Sequence, residues 1–157
     1  MAGRMTQADR IAILEAAGFT VLGEVEEASG VTPLAAIKAA ASGGVVPRVR
    51  IASADDSDDD ADDDVLDRTE QAWRDTGRDV GLFDDDGACL ICLTGPGAST
   101  LPWLLARPPE RGGFLPVFQE RTTTFEFVAA SPTGSPIVAV SEEEDEHWIV
   151  VTSVDDR

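Results

Sequence analysis

Apolar residues in the first two thirds of this chain recur three or four positions apart, which is the spacing of a helix with one buried face. A threonine able to cap a first turn stands at the start of each of the first two such segments. A glycine able to end a helix follows each of the first three. The pattern predicts helices over residues 6–17, 32–42 and 64–76, and a short fourth helix that begins at Ser99 or Thr100 and carries Trp103 and Leu104.

Other segments alternate apolar and polar residues, or are apolar throughout, and these patterns predict strands. Pro47 lacks a backbone donor, so we expect its strand to lie at an edge of the sheet or Pro47 to fall in the first part of the strand. Residues 88–93 are apolar at nearly every position, which is typical of a central strand buried on both faces. The predicted strands cover residues 19–25, 45–52, 88–93, 114–120, 122–130, 136–141 and 147–154.

Short polar turns separate the last four predicted strands, which favours an antiparallel meander. The elements together predict a single α+β domain over residues 1–157. Its mixed sheet would end in an antiparallel β-meander, and about four helices would cover at least one face. Residues 55–64 include eight aspartates, so we expect an acidic, solvated loop there.

The charge of the chain indicates the salt concentration in which the protein works. Thirty acidic residues face twelve basic ones, giving a formal net charge of −18, and Lys38 is the only lysine. Such a charge repels itself in dilute buffer, whereas at about 1 M salt the Debye length falls to roughly 3 Å. Scarce lysine with abundant aspartate resembles the composition of proteins from salt-in halophiles, chiefly halophilic archaea. The alternative is an acidic mesophilic protein from a GC-rich genome.

The chain shows no sign of export or membrane insertion. No apolar run approaches the ~20 residues that span a bilayer, and residues 1–10 lack the apolar core of a signal peptide. Two cysteines are too few for a disulfide scaffold. We therefore expect a reduced, cytoplasmic protein that does not bind a membrane, with Met5 as an alternative start to Met1.

Cys89 and Cys92 form a C-x-x-C motif, but inside an apolar run rather than at a strand-to-helix turn. Residues three apart on a strand point to opposite faces, so the two sulfur atoms would diverge. No second cysteine pair completes a zinc site. The pattern favours buried, structural thiols over a redox or metal site, and no metal ligand is assigned.

His147 is the only histidine and follows an acidic stretch at the start of a predicted strand. A Cys92–His147 nucleophilic pair would need spatial proximity and a third, orienting group, for which the sequence offers no signal. The pattern favours a solvated histidine at the end of a strand, and no catalytic residue is assigned.

Residues 94–100 read as a strand, a glycine loop and a helix N-terminus, where free backbone N–H groups suit an anion or polar ligand. The segment lacks the lysine of a P-loop and the spacing of a dinucleotide fingerprint. The alternative is a tight turn alone. The candidate ligand-binding residues are Gly95, Gly97, Ser99 and Thr100.

Residues 22–42 also resemble a helix-turn-helix, preceded by the helix over residues 6–17. That alternative would require residues 19–25 to be helical, whereas their alternation favours a strand. Its candidate DNA contacts are Lys38, Arg48 and Arg50, fewer basic groups than DNA binding usually employs.

The sequence therefore predicts a small, non-enzymatic binding or interaction domain, with an assembly subunit as one form. We expect a protein partner or self-association, no cofactor and no nucleic acid. One alternative is a helix-turn-helix regulator that uses residues 22–42. The other is a small-ligand-binding domain or enzyme centred on the Gly95 to Thr100 loop.

Overall fold

A computed structural model of the chain describes residues 6–28, 30–41, 47–52, 60–93, 102–110, 113–122, 125–143 and 146–153. Within these ranges the chain forms four helices and seven strands. The helices are α1 (Gln7–Ala16), α2 (Pro33–Ala40), α3 (Asp60–Val80) and α4 (Phe114–Thr122). The strands are β1 (Thr20–Val25), β2 (Pro47–Ala52), β3 (Cys89–Leu93), β4 (Trp103–Arg107), β5 (Phe127–Ala130), β6 (Ile137–Glu142) and β7 (Glu146–Thr152).

The seven strands form one open sheet in the order β1-β4-β3-β5-β6-β7-β2. Every described pairing is antiparallel, where the sequence predicts a mixed sheet. The predicted α+β class is confirmed, and β5, β6 and β7 form the expected meander. Pro47 is the first residue of β2, and β2 lies at one edge of the sheet, so both predicted positions for this proline are met.

Helices cover both faces of the sheet, and β3 is the strand that both layers enclose. All five residues of β3 are buried, as predicted for residues 88–93. On one face α1, α3 and α4 pack over a core that contains Ile91 and Leu93. On the other face α2 packs over Leu90 and Cys92. Alternate residues of one strand therefore anchor two separate hydrophobic clusters.

The two predicted N-terminal caps are confirmed. The hydroxyl of Thr6 accepts a hydrogen bond from the Asp9 N–H at 3.1 Å, and the Asp9 carboxylate accepts from the Thr6 N–H at 3.0 Å. The hydroxyl of Thr32 accepts from the Ala35 N–H at 3.2 Å, with Pro33 in the first helical position. Each cap satisfies donors that the first turn of a helix leaves unpaired.

The strand predicted over residues 114–120 is wrong, because this segment is helix α4. Phe114, Leu115 and Phe118 have the spacing of one helical face and are fully buried. The start of this helix is stabilised by a residue distant in sequence, Glu70 of α3. Its carboxylate accepts hydrogen bonds from the N–H groups of Gly113, Phe114 and Leu115 at 2.7, 2.8 and 3.1 Å, so a distant side chain caps α4.

The short helix predicted to carry Trp103 and Leu104 is also wrong, because residues 103–107 form strand β4. This strand lies between β1 and β3 and pairs with both. Leu104 faces the core under α1, α3 and α4, while Trp103 faces the α2 side and donates from Nε1 to the Val31 carbonyl at 3.0 Å. Strand pairing and two-sided burial override the local helix signal.

Helix α3 begins and ends outside its predicted bounds. It begins at Asp60, so residues 60–64 of the predicted acidic loop belong to the helix, and residues 53–59 lie outside the described part. It does not stop at Gly77 but continues to Val80, where Gly81 has a φ of 83°. A Cβ at Gly77 would come within 2.8 Å of the Phe83 ring, so this glycine serves close packing rather than termination.

Residues 20–25 form a strand, as the alternating pattern predicts, and the helical alternative for this segment is wrong. The strand pairs with β4 through a register shift between Val21 and Gly23. Helix α2 packs against β5, β6 and β7 through its buried Pro33 and Ala36. The segment over residues 22–42 is therefore an edge strand followed by a helix docked on the sheet.

Candidate functional site

The four ligand-binding residues predicted from the sequence, Gly95, Gly97, Ser99 and Thr100, lie outside the described residues. Their assignment assumed that a helix follows the loop, and the segment that follows is strand β4. The predicted helix therefore does not extend over Trp103 and Leu104, and the ligand site at this loop stays a prediction.

The three basic residues proposed as DNA contacts lie on different elements and take part in different interactions. Lys38 is exposed in the last turn of α2. Arg48 forms an ion pair with Asp79 at 2.7 Å, with both side chains about half exposed or more. The Arg50 guanidinium lies over the Trp148 ring, 5.4 Å from its centroid. Two of the three charges are thus engaged within the fold.

The two cysteines are buried on opposite faces of the sheet, as predicted for positions three apart on a strand. Burial raises the pKa of the Cys89 thiol, and the nearby Asp84 carboxylate raises it further. Burial also raises the pKa of the Cys92 thiol, although the Arg10 guanidinium partly opposes this shift. Raised pKa values disfavour the thiolate that redox and metal chemistry require.

The prediction of a solvated His147 is wrong, because its side chain is only 8% exposed. Its ring packs against Phe125 with centroids 4.4 Å apart, and Nδ1 lies 3.0 Å from the Thr69 hydroxyl. Because that hydroxyl donates to the Val65 carbonyl at 2.7 Å, it accepts from Nδ1–H. Cys92 and His147 sit on opposite faces of the sheet, so the fold does not assemble a Cys–His pair.

One concave site among the described residues is a cleft of about 560 Å³ at the C-terminal end of α3. It lies between that helix end, the turn that leads into β3 and the segment that follows β4. We call it the arginine cleft, because three of the twelve basic residues of the chain line it. Its lining residues are Arg74, Arg78, Phe83, Asp84, Asp85, Asp86, Gly87, Arg107, Pro108, Pro109 and Glu110.

Arg74 forms the inner wall of the arginine cleft and is only 9% exposed. Its guanidinium donates to the Pro109 carbonyl, lies 3.9 Å from the Glu70 carboxylate and stands 5.5 Å from the Phe114 ring centroid. Burial lowers the pKa of Arg74, the Glu70 carboxylate opposes that shift, and Arg78 adds to it. Arg74 is therefore a fixed charge with a defined orientation.

Arg78 and Arg107 extend the positive wall toward solvent. Arg78 lies one helical turn beyond Arg74, and its side chain is 66% exposed with a loose 3.8 Å contact to Asp75. Arg107 is the exposed last residue of β4. Since α3 and β4 are separate elements, the fold places these charges together although they are distant in sequence.

The opposite wall of the arginine cleft is acidic and its floor is apolar. The acidic wall is the turn over residues 84–87, in which Gly87 has a φ of 81°. The Asp84 carboxylate accepts from the N–H groups of Asp86 and Ala88, each at 2.9 Å, which fixes the turn. Asp85 and Asp86 are exposed beside the cleft. A cleft lined by apolar residues, arginines and aspartates suits a small molecule that carries both positively and negatively charged groups.

The arginine cleft is not among the sites predicted from the sequence, although part of its signal is visible there. Arg74 and Arg78 are four positions apart, hence neighbours on a helix, and the acidic turn follows. The prediction that α3 stops at Gly77 hid this relation, because it left Arg78 outside the helix. The approach of Arg107 depends on sheet topology, for which the sequence holds no local signal.

No family model matches this chain, and neither a curated protein nor a solved structure shows significant similarity to it. The described residues contain no group of three or more His, Cys, Asp or Glu side chains placed to hold a metal ion. None of the described helices combines the length and apolar character needed to cross a membrane.

Proposed function

We propose that this chain is a non-enzymatic binding domain of a salt-rich cytoplasm, and that the arginine cleft binds a small anionic ligand. The observation that carries the proposal is the meeting of Arg74, Arg78 and Arg107, from two separate elements, in one cleft of a chain with a net charge of −18. In so acidic a protein, three arginines on one concave surface indicate recognition of a carboxylate or phosphate.

The size of the cleft supports a small molecule. Its volume of about 560 Å³ falls within the roughly 300–1,000 Å³ that ligand sites occupy. The acidic wall formed by Asp85 and Asp86 would favour a ligand that also carries an amino group or hydroxyls. Such a ligand would place its anionic group on the arginines and its cationic or hydroxyl groups on the aspartates.

Arginine is suited to binding in concentrated salt. Long-range attraction is largely screened when the Debye length is about 3 Å, so affinity must come from direct contact. A guanidinium supplies paired N–H donors that match a carboxylate or phosphate in a bidentate geometry. Arg74 is already held in place by Pro109 and Phe114, so it loses little conformational entropy on binding.

A binding role fits the cleft better than catalysis. Among its described lining residues there is no hydroxyl, thiol, imidazole or amine side chain to act as a nucleophile. The only histidine packs against Phe125 and Thr69 under α3. The carboxylates of the cleft are therefore better explained as ligand contacts than as acid–base groups.

The test is titration calorimetry in 2 M KCl with a panel of probes: inorganic phosphate, glutamate and glycine. We expect at least one probe to bind the wild-type chain. Arg107→Gln should then weaken that probe about 10-fold or more, because a hydrogen bond to a charged group contributes roughly 1.5–3 kcal/mol. Arg107 is exposed at the end of β4, so its replacement leaves the core intact.

Arg121→Gln is the matched control, since Arg121 is an exposed arginine in the last turn of α4 and does not line the cleft. Backbone NMR shifts locate the site independently, and we expect them at residues 84–87. Binding that Arg121→Gln weakens as much as Arg107→Gln does would contradict the proposal, as would the absence of binding by every probe.

A second candidate function, self-association or a protein partner, is favoured by two exposed leucines. Leu22 on edge strand β1 is 46% exposed and Leu34 on α2 is 42% exposed. Light scattering in 2 M KCl tests this proposal. An assembly subunit should exceed the 16.6 kDa of one chain, and Leu22→Asp should lower that mass while Thr20→Asp on the same strand does not. A monomeric wild type would exclude self-association.

A further inference from the structure

Arg10 of α1 is fully buried, with 0% of its surface exposed, at the end of the sheet opposite the arginine cleft. Its Nη1 donates to the Gln7 side-chain oxygen at 2.9 Å and to the Pro102 carbonyl at 3.3 Å. Pro102 directly precedes β4, whereas the cleft lies at the other end of that strand. The surroundings of Arg10 are thus independent of the proposed ligand site.

Two donors of this buried side chain lack partners. Among the described residues, neither Nε nor Nη2 of Arg10 has a partner in good hydrogen-bond geometry, and the Cys92 thiol beside the guanidinium is only a weak acceptor. An unsatisfied buried donor on a charged group destabilises the folded state, so native proteins satisfy such groups with protein atoms, water or an ion. Nε–H and the adjacent Nη2–H point the same way and form the side fork with which arginine binds anions.

The charge of Arg10 is only partly balanced by the described residues around it. The described residues contain no ion pair that involves Arg10. Burial lowers the pKa of Arg10, and interactions with the Cys92 thiol and the more distant Glu24 only partly oppose this. The Cys92 pKa is itself raised by burial, so this neighbour is a neutral thiol and does not neutralise the guanidinium. Arginine cannot escape the cost by losing its proton.

We propose that the Nε/Nη2 fork of Arg10 holds a buried monovalent anion of the size of chloride, near the Cys92 thiol at the end of β3. A single small ion accepts from both donors and supplies the missing counter-charge. Complete burial of the side chain leaves a halide better matched than a larger oxyanion. The site would be structural, because the bound anion, which supplies a negative charge that neither element provides, would link α1 to the end of β3.

The first experiment is direct and uses the wild-type protein. Crystals grown in KCl are soaked in KBr, and bromide is located by its anomalous scattering. We expect a peak within hydrogen-bond distance of Nε and Nη2 of Arg10. An ordered water at the fork with no anomalous signal would overturn the proposal, as would bromide found only at exposed surface sites.

The second experiment measures linkage in solution. Chloride replaces fluoride at a constant 2 M total potassium salt, and the melting temperature is followed by circular dichroism. Above its dissociation constant, each tenfold increase in chloride should raise the melting temperature by roughly 3–5 °C for a chain of this size.

Arg10→Met should abolish that dependence while keeping the aliphatic volume, and Arg121→Met is the exposed control that should retain it. Equal chloride dependence in Arg10→Met and the wild type would overturn the proposal. If Arg10→Met does not fold, the bromide experiment on the wild type decides alone.

Discussion

At the scale of a single residue, the Glu70 carboxylate of α3 contacts both the start of α4 and the Arg74 guanidinium. It accepts three backbone hydrogen bonds at the start of α4 and lies 3.9 Å from the Arg74 guanidinium. Its side chain is only 3% exposed, so these interactions are shielded from water and salt. Glu70 therefore holds α4 in place and orients the inner wall of the arginine cleft.

We predict that Glu70→Gln destabilises the protein by about 2–3 kcal/mol, because it removes a buried negative charge that caps a helix and faces an arginine. The melting temperature in 2 M KCl should fall by roughly 4–9 °C. Glu120→Gln, an exposed position on α4, is the matched control and should change stability by less than about 0.5 kcal/mol. A fall of the same size in both variants would contradict the cap.

His147 and Arg10 show that the type of a residue does not determine whether its side chain is buried. Both are polar residues in stretches that also contain charged neighbours, and a solvated position is the natural expectation for His147. The structure buries His147 because Thr69 and Phe125, distant in sequence, supply its hydrogen bond and its packing surface. The burial of Arg10 likewise depends on Pro102, which lies 92 positions later in the sequence.

At the scale of elements, the segments predicted correctly are those whose cause is local. The caps at Thr6 and Thr32 act within three residues. The central position of β3 follows from its composition, since only a doubly covered strand buries five apolar residues in succession. Pro47 lacks a backbone donor, which suits its position as the first residue of an edge strand.

The two elements predicted with the wrong type have causes outside their own sequence. Helix α4 depends on a carboxylate from α3, and β4 depends on its pairing with β1 and β3. The arginine cleft could not be predicted for the same reason. Predicting it requires the correct end of α3 and the position of β4 in the sheet, and neither follows from the local sequence. For these reasons the sequence predicts the fold class and the central strand but not the candidate site.

The charge of the whole molecule leads to a prediction about salt. A net charge of −18 on a chain of 157 residues repels itself wherever the Debye length exceeds the spacing between surface carboxylates. We expect the melting temperature, measured by circular dichroism, to be much lower in 0.1 M than in 2 M potassium salt. The same midpoint at both concentrations would contradict this expectation.

The choice of anion separates this effect from the proposed site at Arg10. Screening depends on ionic strength, so it should appear with fluoride and with chloride alike. The rise in melting temperature caused by an anion bound at the Arg10 fork should occur only with chloride or bromide. It should be absent in Arg10→Met. Two different salt effects can therefore be measured in the same protein.

The strand order has a consequence for how this protein is made. Both edges of the sheet, β1 and β2, come from the first third of the chain, yet their partners β4 and β7 come much later. Ile51 pairs with His147, so at 5–20 residues per second a ribosome needs roughly 5–20 s to supply that partner. During this interval β2 lacks its neighbour throughout, and β1 lacks its neighbour until β4 has been made. The acidity of the nascent chain would keep such strands on adjacent ribosomes apart.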